Sequence, residues 1–179
     1  MPQIDAATAA AEAIRQFDTN HDDKLSGKEL RRCPGLAAAI DKIDPSGKRE
    51  ITAAKIAARI RAWQASKLAR MSFGCKVTRN GKPLEGAKVE FVPERFLGKN
   101  VKTAKGKTDA RGFAMLSVPI ISPTNWCDPP GVAPGFYRVE ITKAGEKIPT
   151  KYNTQTILGQ EVAMDAKGIQ EGIKFDLKY

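Results

Sequence analysis

Residues 18–29 read DTNHDDKLSGKE, and this loop decides what the first third of the chain can form. Residues that can offer an oxygen atom recur at loop positions 1, 3, 5, 7, 9 and 12: Asp18, Asn20, Asp22, Lys24, Ser26 and Glu29. Lys24 at position 7 offers its backbone carbonyl, and the other five offer side-chain oxygens. A large, hard cation needs several oxygen ligands that converge from one short loop, with a long carboxylate to complete the coordination shell. The spacing therefore predicts one bound Ca²⁺.

The residues around these oxygens also fit such a loop, with one exception. Phe17, Leu25 and Leu30 supply apolar contacts before, within and after it, and together with the ligand spacing they make the stretch resemble an EF-hand. Asp23 is the exception, because it stands at position 6, where a sharp turn with positive φ favours Gly by about 1 kcal/mol. We therefore expect an affinity between micromolar and millimolar. The alternative is a helix pair of the same shape that binds no metal.

A second loop should follow, because EF-hand loops occur in pairs. Residues 44–55 fit the frame, with Ile51 at position 8. Lys48 and Lys55, however, occupy positions 5 and 12, where carboxylates belong, and their positive charges repel a metal ion. We expect this loop to bind no metal and to support the first loop by pairing Ile51 against Leu25 in a short two-stranded bridge.

Apolar residues at helical spacing flank both loops. The predicted helices cover 6–17, 26–32, 36–43 and a longer segment that begins after Thr52. Pro34 and Gly35 should end the second of these helices. The longest helix carries an apolar stripe, made of Ile56, Ile60 and Trp63. We interpret this stripe as part of a hydrophobic core rather than as a target-binding face.

From about residue 71 the spacing changes to alternation, and turns rich in Gly, Pro and Asn-Gly multiply. Apolar and polar residues alternate most clearly over 88–92, 137–142 and 173–178, and each run should form a strand with one buried face. About seven such strands over roughly 108 residues match the size of one antiparallel β-sandwich. The connection 66–71 contains no Gly or Pro and Trp63 lies close to it, so we expect the helical and β parts to dock.

Three segments resemble the carboxypeptidase regulatory-like, transthyretin-like β-sandwich: VTRNGKPLEGAKVEFVP (77–93), TDARGFAML (108–116) and PPGVAPGFYRVEIT (129–142). The resemblance rests on structural turns and on the starts of strands, and it covers nearly all of 72–179. Together with the EF-hand resemblance it implies an α+β protein of two domains. An EF-hand pair over 1–65 and a short connection over 66–71 would precede an antiparallel, seven-stranded sandwich over 72–179.

The same resemblance implies a setting and a role. Residues 148–162 and the closing strand are similar to forms of this domain that are common in bacterial cell-envelope and surface proteins. In that family the module is non-catalytic and supports folding, adhesion or binding beside other domains. We therefore expect an extracytoplasmic protein, secreted or held by a lipid anchor, with a cytoplasmic protein as the alternative. The N-terminus has no basic start and no apolar stretch, so a targeting segment would have to lie upstream.

Positive charge is spread over the whole chain, whose formal net charge is +10. Residues 1–70 carry 13 basic and 9 acidic residues, and residues 71–179 carry 17 and 11. The densest basic run is Lys99, Lys102, Lys105 and Lys107, expected in a loop. It predicts contact with an anionic polysaccharide, envelope polymer or protein, and the alternative is a solvated loop. No nucleic-acid motif or interleaved aromatic accompanies the charge, which argues against a nucleic-acid partner.

The remaining residue classes restrict the function further. No apolar stretch approaches 18 residues, so no transmembrane segment is expected. The three cysteines form no disulfide framework, and either Cys75 pairs with Cys127 or all three remain thiols. The only histidine, His21, lies in the first loop, so no catalytic triad can be built and we expect no enzymatic activity.

Two functions remain open at this stage. One is a calcium-binding module whose ion stabilises the helical part while the sandwich serves as a scaffold. The other is a calcium-responsive switch that exposes a groove for a partner. Residues 2–70 contain no Met, although such grooves are typically rich in Met, so the sequence favours the first function.

Overall fold

Helices come first along the chain and most strands follow. The computed structural model describes residues 3–119, 130–169 and 172–179. The helices in these ranges are α1 (Ala6–Phe17), α2 (Gly27–Arg31), α3 (Pro34–Ala38), α4 (Ile40–Ile43) and α5 (Ala53–Ala65). Two short strands accompany the helices, β1 (Lys24–Leu25) and β2 (Ile51–Thr52). The chain is therefore an α+β protein, as the sequence predicts.

The β part contributes eight strands among the described residues. They are β3 (Phe73–Arg79), β4 (Lys82–Pro83), β5 (Lys88–Pro93), β6 (Ala104–Lys107), β7 (Phe113–Leu116), β8 (Gly135–Thr142), β9 (Gly159–Val162) and β10 (Ile173–Leu177). One sheet has the order β10-β3-β4, with β7 also paired to β3, and the other has the order β6-β5-β8-β9. Two 3₁₀ turns, Arg95–Leu97 and Thr150–Tyr152, lie between strands.

The long helices begin and pack as their sequences require. In α1, the Thr8 amide donates to Asp5 Oδ1 at 2.6 Å, and the buried face consists of small residues: Ala6, Ala9, Ala10 and Ala13. In α5, the Lys55 amide donates to Thr52 Oγ1 at 3.4 Å, and this cap lies where the sequence predicts that the helix begins. The predicted stripe is also confirmed, because Ile56, Ile60 and Trp63 are all buried. An alanine face lets the two helices approach closely.

The segment between the two loops differs from the prediction. The helix expected over 36–43 is divided into α3 and α4, with Ala39 at the break. Pro34 does not simply stop the preceding helix, because it is also the first residue of α3. Proline suits that position, since its fixed φ matches a helix start and its missing N–H has no partner to lose there. A local stop signal thus also acts as a start signal.

Strand alternation is confirmed, whereas the strand count and the strand direction differ from expectation. The described residues of the β part form eight strands, against about seven predicted, and β10 runs parallel to β3. Alternation determines which face of a strand is buried but carries no information about its direction. Phe91 of β5 contacts Phe73 and Phe175 of the facing sheet, with ring centroids 5.4 and 6.2 Å apart, so the two inner faces share one core.

The helical and β parts dock through α5, as the sequence predicts. The Trp63 ring lies 4.4 Å from Phe136 of β8, centroid to centroid. Its indole Nε1 donates to Glu161 Oε1 of β9 at 2.9 Å, and Arg59 Nε donates to the same oxygen at 2.5 Å. Arg59 also binds Asp165 Oδ1 at 2.7 Å. An aromatic contact and an ion pair therefore cross the junction.

Two glycines allow a second close approach at this junction. A Cβ added to Gly159 in β9 would lie 1.9 Å from the carbonyl oxygen of Pro34. A Cβ added to Gly35 would lie 2.9 Å from the backbone nitrogen of Tyr137. Neither site has room for a side chain, so α3 lies directly against the backbone of β8 and β9. The docking depends on glycine at both positions.

The buried ion pair yields the first testable prediction. Glu161 is 1% exposed, and its Oε2 has no hydrogen-bond partner among the described residues. Arg59→Ala would leave this carboxylate without its cation, so we expect a loss of about 3–5 kcal/mol in the free energy of unfolding. Urea unfolding at pH 8 measures it. The loss should shrink as the pH falls, because protonation of Glu161 removes the buried charge.

Arg61→Ala is the matched control, because Arg61 lies on the same helix and is exposed. It should change the free energy of unfolding by less than about 0.5 kcal/mol. Equal losses in the two variants would show that the Arg59–Glu161 pair contributes nothing to docking.

Candidate metal centre

The first loop is held at both ends by helices. Asp18 directly follows α1, and its amide donates to the Ile14 carbonyl at 2.8 Å. Ser26 directly precedes α2, and its amide donates to Glu29 Oε2 at 3.2 Å. Both ends of the loop are therefore fixed by hydrogen bonds that the adjoining helices provide.

Three of the six predicted ligands come together in space. Asp18, Asp22 and Glu29 each offer an oxygen atom, and these atoms all lie within 4.8 Å of one another. Within residues 3–119, 130–169 and 172–179, no other group of three or more His, Cys, Asp or Glu side chains converges in this way. Glu29 is 6% exposed, whereas Asp22 faces solvent. The cluster therefore joins a buried carboxylate at the base of the loop to one at its surface.

The other three predicted ligands lie on the same loop. Asn20 is exposed, and its Oδ1 accepts a hydrogen bond from the Asp22 amide at 3.2 Å. Lys24 begins β1, and its Nζ lies 3.3 Å from Glu50 Oε2. Ser26 precedes α2 as described above. The assignment of these three residues as ligands stays a prediction.

Backbone amides point at the carboxylates of the loop. Glu29 Oε1 accepts from the amides of Thr19 and Asn20 at 2.9 and 3.3 Å. Asp18 accepts from the amides of His21 and Asp23 at 2.7 and 3.0 Å. The hydrogen bond from the Thr19 amide is the main cause that lowers the pKa of Glu29 below its usual value. These amides thus favour the ionised form of Glu29 and hold the Asp18 carboxylate against the loop backbone.

The backbone of the loop is strained at two residues. Asp23 has φ of 60°, as its position in the loop predicts. The hydrogen bond from its amide to the Asp18 carboxylate helps to hold this conformation. His21 also has φ of 60°, which the sequence analysis did not anticipate. The signal was available, because Asp, Asn and His are the residues enriched in the left-handed region. Two strained residues separated by only one position explain why the loop needs several internal hydrogen bonds.

The second loop contains a cation of its own. Lys55 Nζ lies 2.8 Å from Asp44 Oδ1 and 2.9 Å from the carbonyl oxygen of Glu50. Asp44 is 3% exposed, and the hydrogen bond from Lys55 holds the pKa of its carboxyl well below the usual value. The sequence predicts only that Lys55 repels a metal. In the structure its ammonium group also satisfies the oxygens that a metal would otherwise bind.

The two loops are joined as predicted. Leu25 of β1 pairs antiparallel with Ile51 of β2, and neither side chain is exposed. This bridge ties the first loop to the lysine-filled second loop. The position of one loop therefore depends on the packing of the other.

Ile51→Ala tests this dependence. Truncation of a fully buried Ile leaves a cavity, and we expect a loss of about 2–5 kcal/mol in the free energy of unfolding. Ile157→Ala makes the same chemical change at a side chain that is 63% exposed, and it should cost much less. An unchanged melting temperature for Ile51→Ala would refute the paired-loop description.

The predicted basic surface is only partly a loop. Lys99 and Lys102 precede β6, and the Lys102 ammonium donates to the Lys99 carbonyl at 2.8 Å. Lys105 and Lys107 lie within β6, and Lys105 Nζ is 3.0 Å from Glu90 Oε1. The charge of Lys105 is thus already paired, which weakens the run as a surface for anions. Its binding to an anionic partner stays a prediction.

The cysteines give no sign of reactivity in the part of the chain that the structure describes. Cys33 and Cys75 are buried free thiols, and burial raises the pKa of Cys75 to about 12. Such thiols are poor nucleophiles at neutral pH. The alternative in which Cys75 pairs with Cys127 lies outside the described residues, because Cys127 is in 120–129.

No protein-family model, no curated protein and no solved structure matches the chain. Within the described ranges, every helix is too short or too polar to cross a membrane. The function must therefore be argued from the chain's own residues.

Proposed function

We propose that the protein is a non-catalytic calcium-binding module. The observation that carries this proposal is the convergence of Asp18, Asp22 and Glu29 within 4.8 Å, on a loop whose spacing of oxygen atoms suits Ca²⁺. Asn20, the Lys24 carbonyl and Ser26, directly or through water, would complete the set of oxygen ligands. Ca²⁺ prefers such a set of hard oxygen donors, whereas Zn²⁺ prefers Cys and His, which the loop offers only through His21.

The ion would stabilise the fold by neutralising a concentration of negative charge. Asp18, Asp22, Asp23 and Glu29 lie within twelve residues, and three of them converge. Without a cation, the repulsion between converging carboxylates opposes the compact loop. With a cation, the end of α1 and the start of α2 are held together. Binding to the folded state alone adds about 2.7 kcal/mol to its stability when free calcium is a hundredfold above Kd.

Within this proposal, residues 1–65 form an EF-hand pair with one functional loop, and 66–71 connect it to a carboxypeptidase regulatory-like, transthyretin-like sandwich over 72–179. The paired helical loops support the first assignment. Two four-stranded sheets with a shared core support the second. The sandwich would act as a scaffold or binding surface in an extracytoplasmic protein, where millimolar calcium could fill a loop of modest affinity.

A stabilising role is favoured over a switch by two structural features. Lys55 already satisfies Asp44, so the second loop needs no metal to adopt its shape. The apolar side chains of α5 are occupied, because Trp63 packs on Phe136 and both are buried. A switch would have to expose such surface when calcium binds. Binding of an apolar dye should therefore stay unchanged during a calcium titration, while an increase would favour the switch.

Glu29→Gln tests the metal assignment directly. Position 12 supplies two oxygens and one negative charge in the proposed site, so this change should weaken calcium binding at least tenfold. Asp23→Asn is the matched control, because it removes a carboxylate from the same loop without removing a proposed ligand, and Asn tolerates the positive φ there. Its affinity should stay within about threefold, since only a nearby exposed charge is lost.

Isothermal titration calorimetry measures the stoichiometry and the affinity of both variants. The proposal requires one ion per chain, with the second loop silent. It fails if the unaltered protein binds no calcium, if it binds two ions equivalently, or if Glu29→Gln binds as tightly as Asp23→Asn.

A further inference from the structure

A cleft of about 740 Å³ lies where the helical part meets the outer face of the β8 sheet. Its walls come from the end of α1, the end of α2, the 3₁₀ turn Arg95–Leu97, strand β8 and the segment 154–157. The twelve residues of the metal loop do not line it. The cleft is thus a separate feature from the candidate metal centre. Its volume falls in the range of small-molecule binding sites.

The cations around this cleft are all arginines. Five of the chain's 11 arginines line it, and none of its 19 lysines does: Arg15, Arg31, Arg32, Arg95 and Arg138. A merely solvated basic surface has no reason to exclude lysine, which is the commoner cation in this chain. Arginine differs in presenting a planar fork of N–H donors that fits the oxygens of a carboxylate or phosphate in pairs. The composition therefore points to recognition of oxyanions.

Most of this charge is not neutralised by neighbouring side chains. Within the described residues, Arg31, Arg32 and Arg95 are exposed and form no ion pair or side-chain hydrogen bond. Arg15 pairs with Glu12 at 2.6 Å and Arg138 with Glu140 at 3.0 Å. Three guanidinium groups from two different elements thus remain available around one concave space.

The acidic group at the base of the cleft does not cancel the arginines. Glu94 is 3% exposed, and it accepts a hydrogen bond from the Gly35 amide at 2.9 Å. Burial raises the pKa of its carboxyl above the usual value, and even with Glu94 and Glu140 both ionised the five arginines leave the wall with an excess of positive charge. This carboxyl holds α3 against the β part and leaves the mouth of the cleft positive.

The rest of the wall suits an organic anion. Thr154 and Gln155 are exposed polar residues, and Ile157 adds an apolar side chain that is 63% exposed. A ligand could therefore place its charged groups on the arginines and a less polar part against the segment 154–157. Because Arg31, Arg32 and Arg95 carry three positive charges that no side chain pairs among the described residues, a ligand with more than one anionic group fits the cleft better than a single monovalent anion.

We propose that this cleft binds a ligand with at least two oxyanion groups, phosphates or carboxylates, through Arg31, Arg32 and Arg95. The cleft, rather than the partly paired lysine run at 99–107, is then the chain's anion-binding surface. This inference does not depend on calcium binding.

Inorganic tripolyphosphate and citrate serve as probes, titrated calorimetrically into calcium-free full-length protein. Calcium must be absent because both probes chelate it. Binding of either probe supports the proposal, and the tighter one tells whether the ligand class is phosphate or carboxylate. Because the metal loop does not line the cleft, a failure here would leave the calcium proposal standing.

The decisive variant is Arg31→Gln with Arg32→Gln, which should weaken the tighter probe at least tenfold. Its control is Lys102→Gln with Lys107→Gln, which removes the same charge from two exposed lysines and should stay within about threefold. If the first variant fails to fold, Arg95→Gln replaces it, with Lys102→Gln as control. No binding by either probe, or equal weakening in arginine and lysine variants, would overturn the proposal.

Discussion

Strand β8 is buried on both faces where it begins, and the rest of the structure depends on that constraint. On its inner face, Tyr137 contacts Phe91 inside the sandwich, with ring centroids 6.0 Å apart. On its outer face, Phe136 receives Trp63 from α5. A strand with one face in water would need no helical partner. Here the helical part covers apolar surface that the sandwich would otherwise expose, and the buried Arg59–Glu161 pair fixes where it docks.

The two loops differ in the charge of the residue at their twelfth position. Each loop begins with an Asp whose carboxylate needs a positive partner. In the second loop, Lys55 supplies that partner from within the chain. In the first loop, Glu29 stands at the corresponding position and adds negative charge, and in the calcium proposal the positive partner is a bound ion. If the proposal holds, the second loop is held in shape by its own lysine and the first by a bound cation, which suits an ion that stabilises more than it switches.

Local sequence signals predicted the features that local physics controls. The start of α5 after Thr52, the stripe on α5, the Leu25–Ile51 bridge and the inward faces of the long strands all follow from signals within a few residues. The predicted antiparallel direction of β10 was wrong, because strand direction depends on the path of a long connection, which alternation does not encode. The convergence of the first loop was predictable because its carboxylates lie within twelve residues.

The arginine cleft was not predictable for the opposite reason. Its cations are scattered from Arg15 to Arg138, and they meet only because α3 docks on β8 and β9. Gly35 and Gly159 permit that docking by leaving no side chain between the backbones. Charge density along the sequence instead predicted an anion-binding surface at the lysines of 99–107, which are close in sequence. Proximity along the chain therefore predicts the converging carboxylates of the first loop but gives no signal for the cleft between the helical and β parts.

We infer that docking makes the helical and β parts one cooperative unit, so that bound calcium would stabilise both. Hydrogen exchange with and without saturating calcium tests it most directly, at the amides of Ile60 in α5 and Val139 in β8. If both amides exchange only through global unfolding, calcium should slow them by the same factor. A slowing at Ile60 with no change at Val139 would show that calcium stabilises the helical part alone, and would contradict the account.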